Sequence, residues 1–282
     1  MLPGYEPVKA GMLRGAAGCR WFVILVQMNR RNKIVRQILF WMVLLGLWSL
    51  MALMMNQSIL CPAPWDVVRQ MMVQLTSPDF FSIVGITTLR ALSGLLISFA
   101  AGILSACEAH FLPVLKDMMN NLVSLMQAIP NVCYIILLLF WTGRNNVILI
   151  VIFCLLFPVA YRNFLETLDQ IQNRWKDVFA VYPQPWWIVL TRACFPAMEP
   201  VFASTLISGS SMAFKAAVMA EVLASANIGI GRSMQAARVN VEVAQVMAWM
   251  VWLLILVFLF EKIWRKLIEK LFGKADDYEA NR

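Results

Sequence analysis

The chain has 282 residues, of which 61% are hydrophobic and 14% charged, with a mean hydropathy of +0.70 and a net charge of +8. A soluble domain carries about 25% charged and 45–50% apolar residues, so this composition excludes an ordinary soluble domain and places the chain in the membrane class. The apolar stretches are continuous runs rather than short alternating segments, which excludes a β-barrel and predicts an all-α polytopic bundle, because a helix satisfies its own backbone polar groups in lipid.

The first segment, residues 1–36, reads as a basic tail. Residues 21–26, "WFVILV", fall far short of the about 20 residues a span needs. Arg30 and Arg31 follow at once, with no small-residue cleavage site, so the segment is not read as a signal peptide. From Met28 the chain runs "MNRRNKIVRQILFWMVLLGLWSL", a basic clamp and then a span. Met28 is the expected start, and 1–27 an over-called extension.

About six transmembrane helices are expected, at 37–55, 82–106, 118–141 (interrupted at Pro130), 146–164, 200–220 and 243–263. They form one domain over 37–264, with an insert at about 165–198 and a basic tail at 265–282. Between the first two spans, residues 56–80 read as a loop followed by a short amphipathic helix from Pro64 to about Leu75, an interfacial helix covering the bundle.

An even number of spans puts both ends on one side. That side then holds Lys9, Arg14, Arg20, Arg30, Arg31, Lys33 and Arg36 in the first tail and Lys116 after the second span. It also holds Arg162, Arg174, Lys176 and Arg192 in the insert, and Lys262, Arg265, Lys266, Lys270, Lys274 and Arg282 at the C-terminal end. The other side has Arg69, Arg144, Arg232 and Arg238. The positive-inside rule therefore puts both termini and the insert in the cytoplasm. The same rule accounts for the positive charge, and no basic face with interleaved aromatics argues for nucleic acid.

Enzyme chemistry finds little support. There is no G-x-x-x-x-G-K-[ST] loop, no G-x-S-x-G and no H-E-x-x-H. "NIGIGR" at 227–232 contains G-x-G outside any strand–helix unit and reads as a turn between the last two spans. Cys19, Cys61, Cys107, Cys133, Cys154 and Cys194 form no C-x-x-C pair and read as small apolar packing residues. His110 is the single histidine, so no metal centre is expected. A membrane-embedded enzyme would gather His, Asp or Glu at one face, and this sequence scatters them.

Charges inside spans are costly and face protein or water. Arg90 lies in the second span and Lys215 in the fifth, with Glu221 at the fifth span's far end. Arg90 is expected to snorkel or to pair with a helix terminus. Lys215 is expected to face the centre of the bundle and to meet an acidic partner or an anionic solute. "SGSSMAF" at 208–214, with Ser208 and Ser211, reads either as a close helix contact or as the lining of a polar path.

The insert carries "WKDVFAVYPQPWWIVLTRACFPAMEP" at 175–200. Phe179, Tyr182, Trp186 and Trp187 place apolar and aromatic groups outside the span. They suit a binding surface and, for the two tryptophans, equally a headgroup belt.

Over about residues 60–270 the chain resembles the membrane permeases of ABC importers of the nitrate/sulfonate/taurine type. The likeness rests on "CPAPWDVV", on "TTLRALSGLLISFAAGI" at 87–103, on "MQAIPNVCYIILLLFWTGRNNVILIVIFCLLFPVAYRNF" at 126–164, and on "MAEVLASANIGIGRSMQAAR" at 219–238. In that family a cytoplasmic loop, E-A-A-x-x-x-G, then nine residues and I-x-L-P, docks into a cleft of the ATPase. The spacing is kept here with Asp177 at the Glu position, Val178 and Phe179 at the alanines, Pro183 at the Gly and Pro196 at the final Pro. The resemblance implies that Asp177, Val178, Phe179, Tyr182, Pro183 and Pro196 form an ATPase-coupling element, with Asp177 starting a short helix. It further implies a non-enzymatic permease in the inner membrane, paired with a second copy. Two ATPase subunits carrying ATP-Mg and an extracytoplasmic solute-binding protein would complete it. The expected path residues are Arg90, Ser208, Ser211, Lys215 and Glu221. The solute is expected among sulfonates and taurine, nitrate, or a vitamin precursor. The alternative is a passive channel or scaffold without a working ATPase partner.

Overall fold

The computed structural model describes residues 35–55, 61–182, 185, 188 and 197–272. Side chains are described for all of these except 179, 180, 271 and 272. The described residues are helical throughout their regular structure: α1 (Val35–Met55), α2 (Pro64–Thr76), α3 (Phe80–Phe111), α4 (Pro113–Ala128), α5 (Asn131–Val181), α6 (Glu199–Leu223), α7 (Ile230–Val239) and α8 (Val243–Phe272). The chain divides into two compact units, Met1–Asp66 and Val67–Arg282. In the first unit the Trp48 indole N–H donates to the Pro62 carbonyl at 3.1 Å.

Among the described residues five helices, α1, α3, α5, α6 and α8, are long and apolar enough to cross a membrane. The spans expected at 118–141 and 146–164 are organised differently from the sequence pattern. Pro113 and Pro130 each force the residue before them out of the helical region. Leu112 sits at φ −120°, ψ 98° and Ile129 at φ −79°, ψ 127°. The apolar stretch therefore splits into the 16-residue α4 and the start of α5. The 51-residue α5 is broken only at Gly143, whose φ of 76° and ψ of 169° suit glycine. At about 1.5 Å per residue it would run about 76 Å if straight, more than twice an apolar bilayer core of about 30 Å.

α3, α5 and α6 make the heart of the second unit. α3 turns a stripe of small residues inward: Ala91, Gly94, Ser98, Gly102, Ala106 and Ala109 are all buried. Small residues let helix backbones approach in a medium that gives no hydrophobic drive for association. A β-carbon on Gly94 would lie 2.5 Å from Ile152 Cγ2, and one on Gly102 2.6 Å from the Ala160 Cβ. Phe99 packs edge-on to both Phe164 of α5 and Phe202 of α6.

Two helix ends use the same device. After α6, the Ala226 N–H reaches the Glu221 carbonyl at 3.0 Å and the Ser225 N–H the Val222 carbonyl at 3.3 Å. After α7, the Glu242 N–H reaches Ala237 at 2.9 Å and the Val241 N–H reaches Arg238 at 3.1 Å. Both are Schellman closures, which place one residue in the left-handed region. That residue is Ser225 (φ 47°) in the first and Val241 (φ 60°) in the second. A β-branched residue is strained there by about 1–2 kcal/mol. Val241 is 55% exposed and loses little packing on truncation. Val241→Gly is therefore expected to raise the melting temperature of the detergent-solubilised protein by roughly 2 °C. A fall would show that the side chain contributes more than its backbone strain costs.

Candidate functional site

The charge in α3 and the acid in α6 meet. Arg90 Nη1 lies 2.9 Å from Glu221 Oε1 and also donates to the Ile228 carbonyl at 2.7 Å, while Nη2 donates to Asn145 Oδ1 at 3.2 Å. Glu221 is fully buried. Its carboxylate accepts from Thr87 Oγ1 at 3.0 Å and from the Gly231 N–H at 2.9 Å as well. Thr87 in turn accepts the Ile230 N–H at 2.8 Å. The α6–α7 turn is thus closed over a carboxylate, and α3, α5, α6 and α7 are tied at one place.

The glycines of "NIGIG" belong to this arrangement. A β-carbon on Gly229 would lie 2.5 Å from the Glu221 carboxyl carbon and from both its oxygens, and Gly229 has φ +145°. One on Gly231 would lie 2.5 Å from the Val218 carbonyl. Both positions need glycine because the acid and its helix occupy the space a side chain would take. Arg90, expected to snorkel or to meet a helix terminus, instead spans an acid, a turn carbonyl and an amide. Glu221 faces no open space.

Lys215 is arranged differently. It is exposed on α6, with no acidic partner among the described residues. Ser204 and Ser208 are exposed on the same helix and Ser211 is half-buried, so 204, 208, 211 and 215 follow one another at the spacing of a single helix face. Ser208 Oγ donates to the Ser204 carbonyl at 2.7 Å. Behind this face a cleft of about 50 Å³ opens between α3, α5 and α6, bordered by Leu95, Phe99, Leu156, Thr205, Ser208 and Met212. Asn163 Nδ2 donates to Thr205 Oγ1 at 3.0 Å and fixes α5 against α6 beside it.

The residues expected to form the coupling element lie in a different local structure from the one the sequence reading gave them. α5 does not end near residue 164. It continues to Val181, so Asp177 and Val178 sit in its last turns rather than starting a new short helix. Leu165, Leu168 and Ile171 keep the helix tied to the core after it becomes polar. The backbone of Phe179 is helical. Val178 and Tyr182 are 46% and 68% exposed. Pro183 and Pro196, with Trp186 and Trp187, lie outside the described residues.

Sequence reasoning set His110 aside. In the structure His110 Nδ1 lies 3.2 Å from Asp169 Oδ1, and Lys116 Nζ donates to Asp169 Oδ2 at 2.6 Å. The end of α3, the start of α4 and α5 are joined there. Thr87, Asn145, Asn163, Gly229 and Gly231 were likewise not singled out as site residues: the first three act through partners distant in sequence, and the two glycines through the space that Glu221 and its helix fill.

Residues 98–272, more than half the chain, match the family described as binding-protein-dependent transport system inner membrane component. A Bacillus subtilis protein provisionally named as an aliphatic sulfonates transport permease, SsuC, is 22% identical over 241 residues, 84% of this chain and 87% of that one. The formylaminopyrimidine transport permease protein ThiX of Halalkalibacterium halodurans is 22% identical over 206 residues, 72% of this chain and 81% of that one. Among solved structures, the inward-facing MetNI methionine ABC transporter shares the fold. Its TM-score is 0.56 at 12% identity, over 69% of this chain and 99% of that one.

Proposed function

We propose how transport is carried out by this chain, which belongs to the family of binding-protein-dependent transport system inner membrane components. It is an all-α, multi-pass permease subunit of an ABC importer. Its relatives are transporter permeases, in keeping with a membrane subunit that performs no covalent step. Family membership also implies an ATPase and a solute-binding protein as partners.

In our reading, two copies of the chain pair in the inner membrane with both termini in the cytoplasm, bathed in membrane lipid. Two ATPase subunits bind ATP-Mg below them, and no nucleic acid is involved. The observation that carries the reading is the α6 face. α6 presents Ser204, Ser208, Ser211 and Lys215 along one face, beside a cleft, with no partner for the lysine among the described residues. A polar face of this kind is too costly to leave against lipid, so it lines the translocation path. The Arg90–Glu221 clamp fixes the end of that path. Solutes of the sulfonate, nitrate or vitamin-precursor classes fit the reading, and the names of two relatives point to the first and last of these.

The end of α5, with Asp177, Val178, Phe179 and Tyr182, and the following Pro183 and Pro196, is the part an ATPase pushes. A 38-residue arm from Arg144 to Val181 with a packed base transmits such a push as a rigid body. The test is affinity purification of the tagged full chain in mild detergent. An ATPase subunit is expected to co-purify, and to be lost on Asp177→Arg combined with Tyr182→Ala while the variant still elutes as a folded protein. Recovery of the ATPase with both chains alike would move the contact elsewhere.

A further inference from the structure

We propose that the outward face of the last turns of α8 binds the headgroups of anionic phospholipids through Lys262, Lys266 and Lys270. The inference does not depend on what the path carries. It draws on the orientation proposed above only for which leaflet supplies the lipid, the cytoplasmic one.

Three observations converge. The first is register. α8 turns Val257, Phe260, Trp264 and Ile268 toward the core, and Phe260 lies against Phe214 of α6 with ring centroids 5.3 Å apart. On the opposite side Ile255 and Leu259 are exposed. Lys262, Lys266 and Lys270, all exposed, continue that line at spacings of three and four residues. One face thus passes from apolar to cationic without turning away from lipid. The second is depth. The 30 residues of α8 rise about 45 Å, against about 30 Å of hydrocarbon and about 40–45 Å of bilayer with its headgroups. With Val243 at one hydrocarbon boundary, Lys262, Lys266 and Lys270 stand about 28, 34 and 40 Å further along, at the other boundary and in the headgroup layer beyond it. Side chains of a helix lean toward its N-terminus, which draws the three ammonium groups back toward that layer. The third is the lack of an internal partner. Glu261 and Glu269 belong to the same helix, yet no ion pair joins the three lysines to any acid among the described residues. Like charges four residues apart repel along a helix, and an anion outside the chain relieves them. Arg265 and Glu269 flank the row and offset each other, so the lysines set its sign.

A lysine that lays its stem along apolar surface and lifts its head to the phosphates is in the geometry that long cationic side chains adopt at membrane boundaries. Each such lysine adds to the attraction for an anionic surface. A zwitterionic headgroup carries its own ammonium beside the phosphate, so the row discriminates in favour of a lipid such as phosphatidylglycerol. A face at headgroup depth, turned away from the core, meets lipid before it meets a protein in the cytoplasm.

The test places a bimane fluorophore on Ile263→Cys in the full chain, with the six native cysteines replaced, in phosphatidylcholine nanodiscs. Quenching is read as nitroxide-labelled phosphatidylglycerol, or nitroxide-labelled phosphatidylcholine for reference, replaces the unlabelled lipid. The anionic lipid is expected to be favoured roughly tenfold beside the probe, and Lys266→Gln to cut that preference roughly fivefold. Changing all three lysines to Gln should bring it to parity, and changing all three to Arg should keep it. A parent without preference overturns the proposal, and so does a preference that the triple Gln variant retains. If the triple Gln variant retains it and no longer co-purifies the ATPase, the face belongs to the ATPase. Loss of the parent's preference in millimolar inorganic phosphate at constant ionic strength would assign the row to a free anion and overturn the lipid. Failure of the parent to retain an ATPase bears on the coupling reading alone and leaves this readout intact.

Discussion

Glu221→Ala is expected to lower the melting temperature of the purified chain by roughly 10 °C, the largest effect of any single polar substitution in the second unit. Removing one partner of a buried ion pair costs about 3–5 kcal/mol, because the other charge stays behind unpaired. The loss here extends beyond Arg90. The Gly231 N–H at 2.9 Å and the Thr87 hydroxyl at 3.0 Å would both lose their acceptor in a buried place. Glu221→Gln keeps the shape and an acceptor oxygen, yet sets an amide donor against donors, so about half the loss is expected. The double variant Glu221→Ala with Arg90→Met removes the stranded charge and should recover part of the single variant's deficit. That recovery separates an ion-pair effect from mere loss of side-chain volume. A Glu221→Ala protein melting within a degree or two of the parent would mean the clamp does not hold the α6–α7 turn.

The two charges of this clamp were each visible in the sequence as costly residues in apolar spans. Their pairing was not, since Arg90 and Glu221 stand 131 residues apart. The glycines were visible as a turn and nothing more. Only the fold shows that Gly229 and Gly231 are glycines because a carboxylate and a helix backbone fill the space beside them. A polar residue's function depends on what it meets, and one sequence records what a residue offers without recording what receives it. Lys215 is a further case. It was expected to face the centre of the bundle and to meet an acid or a solute; it is exposed on α6, and the described residues supply no acid.

The spans at 37–55, 82–106, 200–220 and 243–263 were legible because lipid imposes a length and a composition on them, whereas 118–141 and 146–164 were divided in the wrong place. Helix ends were not. Hydropathy falls after Phe164 with Glu166, Asp169, Gln170 and Gln172, and the fall reads as a loop. The falling hydropathy marks where a helix leaves lipid, whereas helix continuation depends on propensity and on a buried stripe. "ETLDQIQNRWKDVFAV" is rich in helix formers, and Leu165, Leu168 and Ile171 hold it to the core. Pro158 illustrates the converse. A proline inside a helix costs one backbone hydrogen bond and breaks or kinks it, yet α5 passes through Pro158 as helix. At Pro113 and Pro130 the chain does break. Residues 177–181 thereby become the end of a long helix joined directly to the α3–α5 core, and under the proposed coupling role this shortens the mechanical route from an ATPase to the path.

That route depends on how closely α3 and α5 lie, and Gly102→Val is expected to disrupt it most among apolar substitutions. A β-carbon at Gly102 meets the Ala160 Cβ at 2.6 Å, and behind it the Tyr161 nitrogen at 3.0 Å and the Ala160 carbonyl carbon at 3.2 Å. These last two are backbone atoms that no rotamer change can move. Overpacking a tight core costs about 1–3 kcal/mol even where side chains can yield, and here two helices must part. The gap would reach Phe99, Phe164 and Phe202, which seat α6 against the pair. Gly102→Ala alone should therefore lower the melting temperature. Exchanging the pair, Gly102→Ala with Ala160→Gly, should restore most of it by returning one β-carbon to the contact, leaving the tight approach to Tyr161 as the remainder. The decisive reading comes from the full transporter: Gly102→Val should uncouple ATP hydrolysis from solute uptake in protein that still carries its ATPase. Full uptake by that variant would show that α5 does not carry the push through its contact with α3.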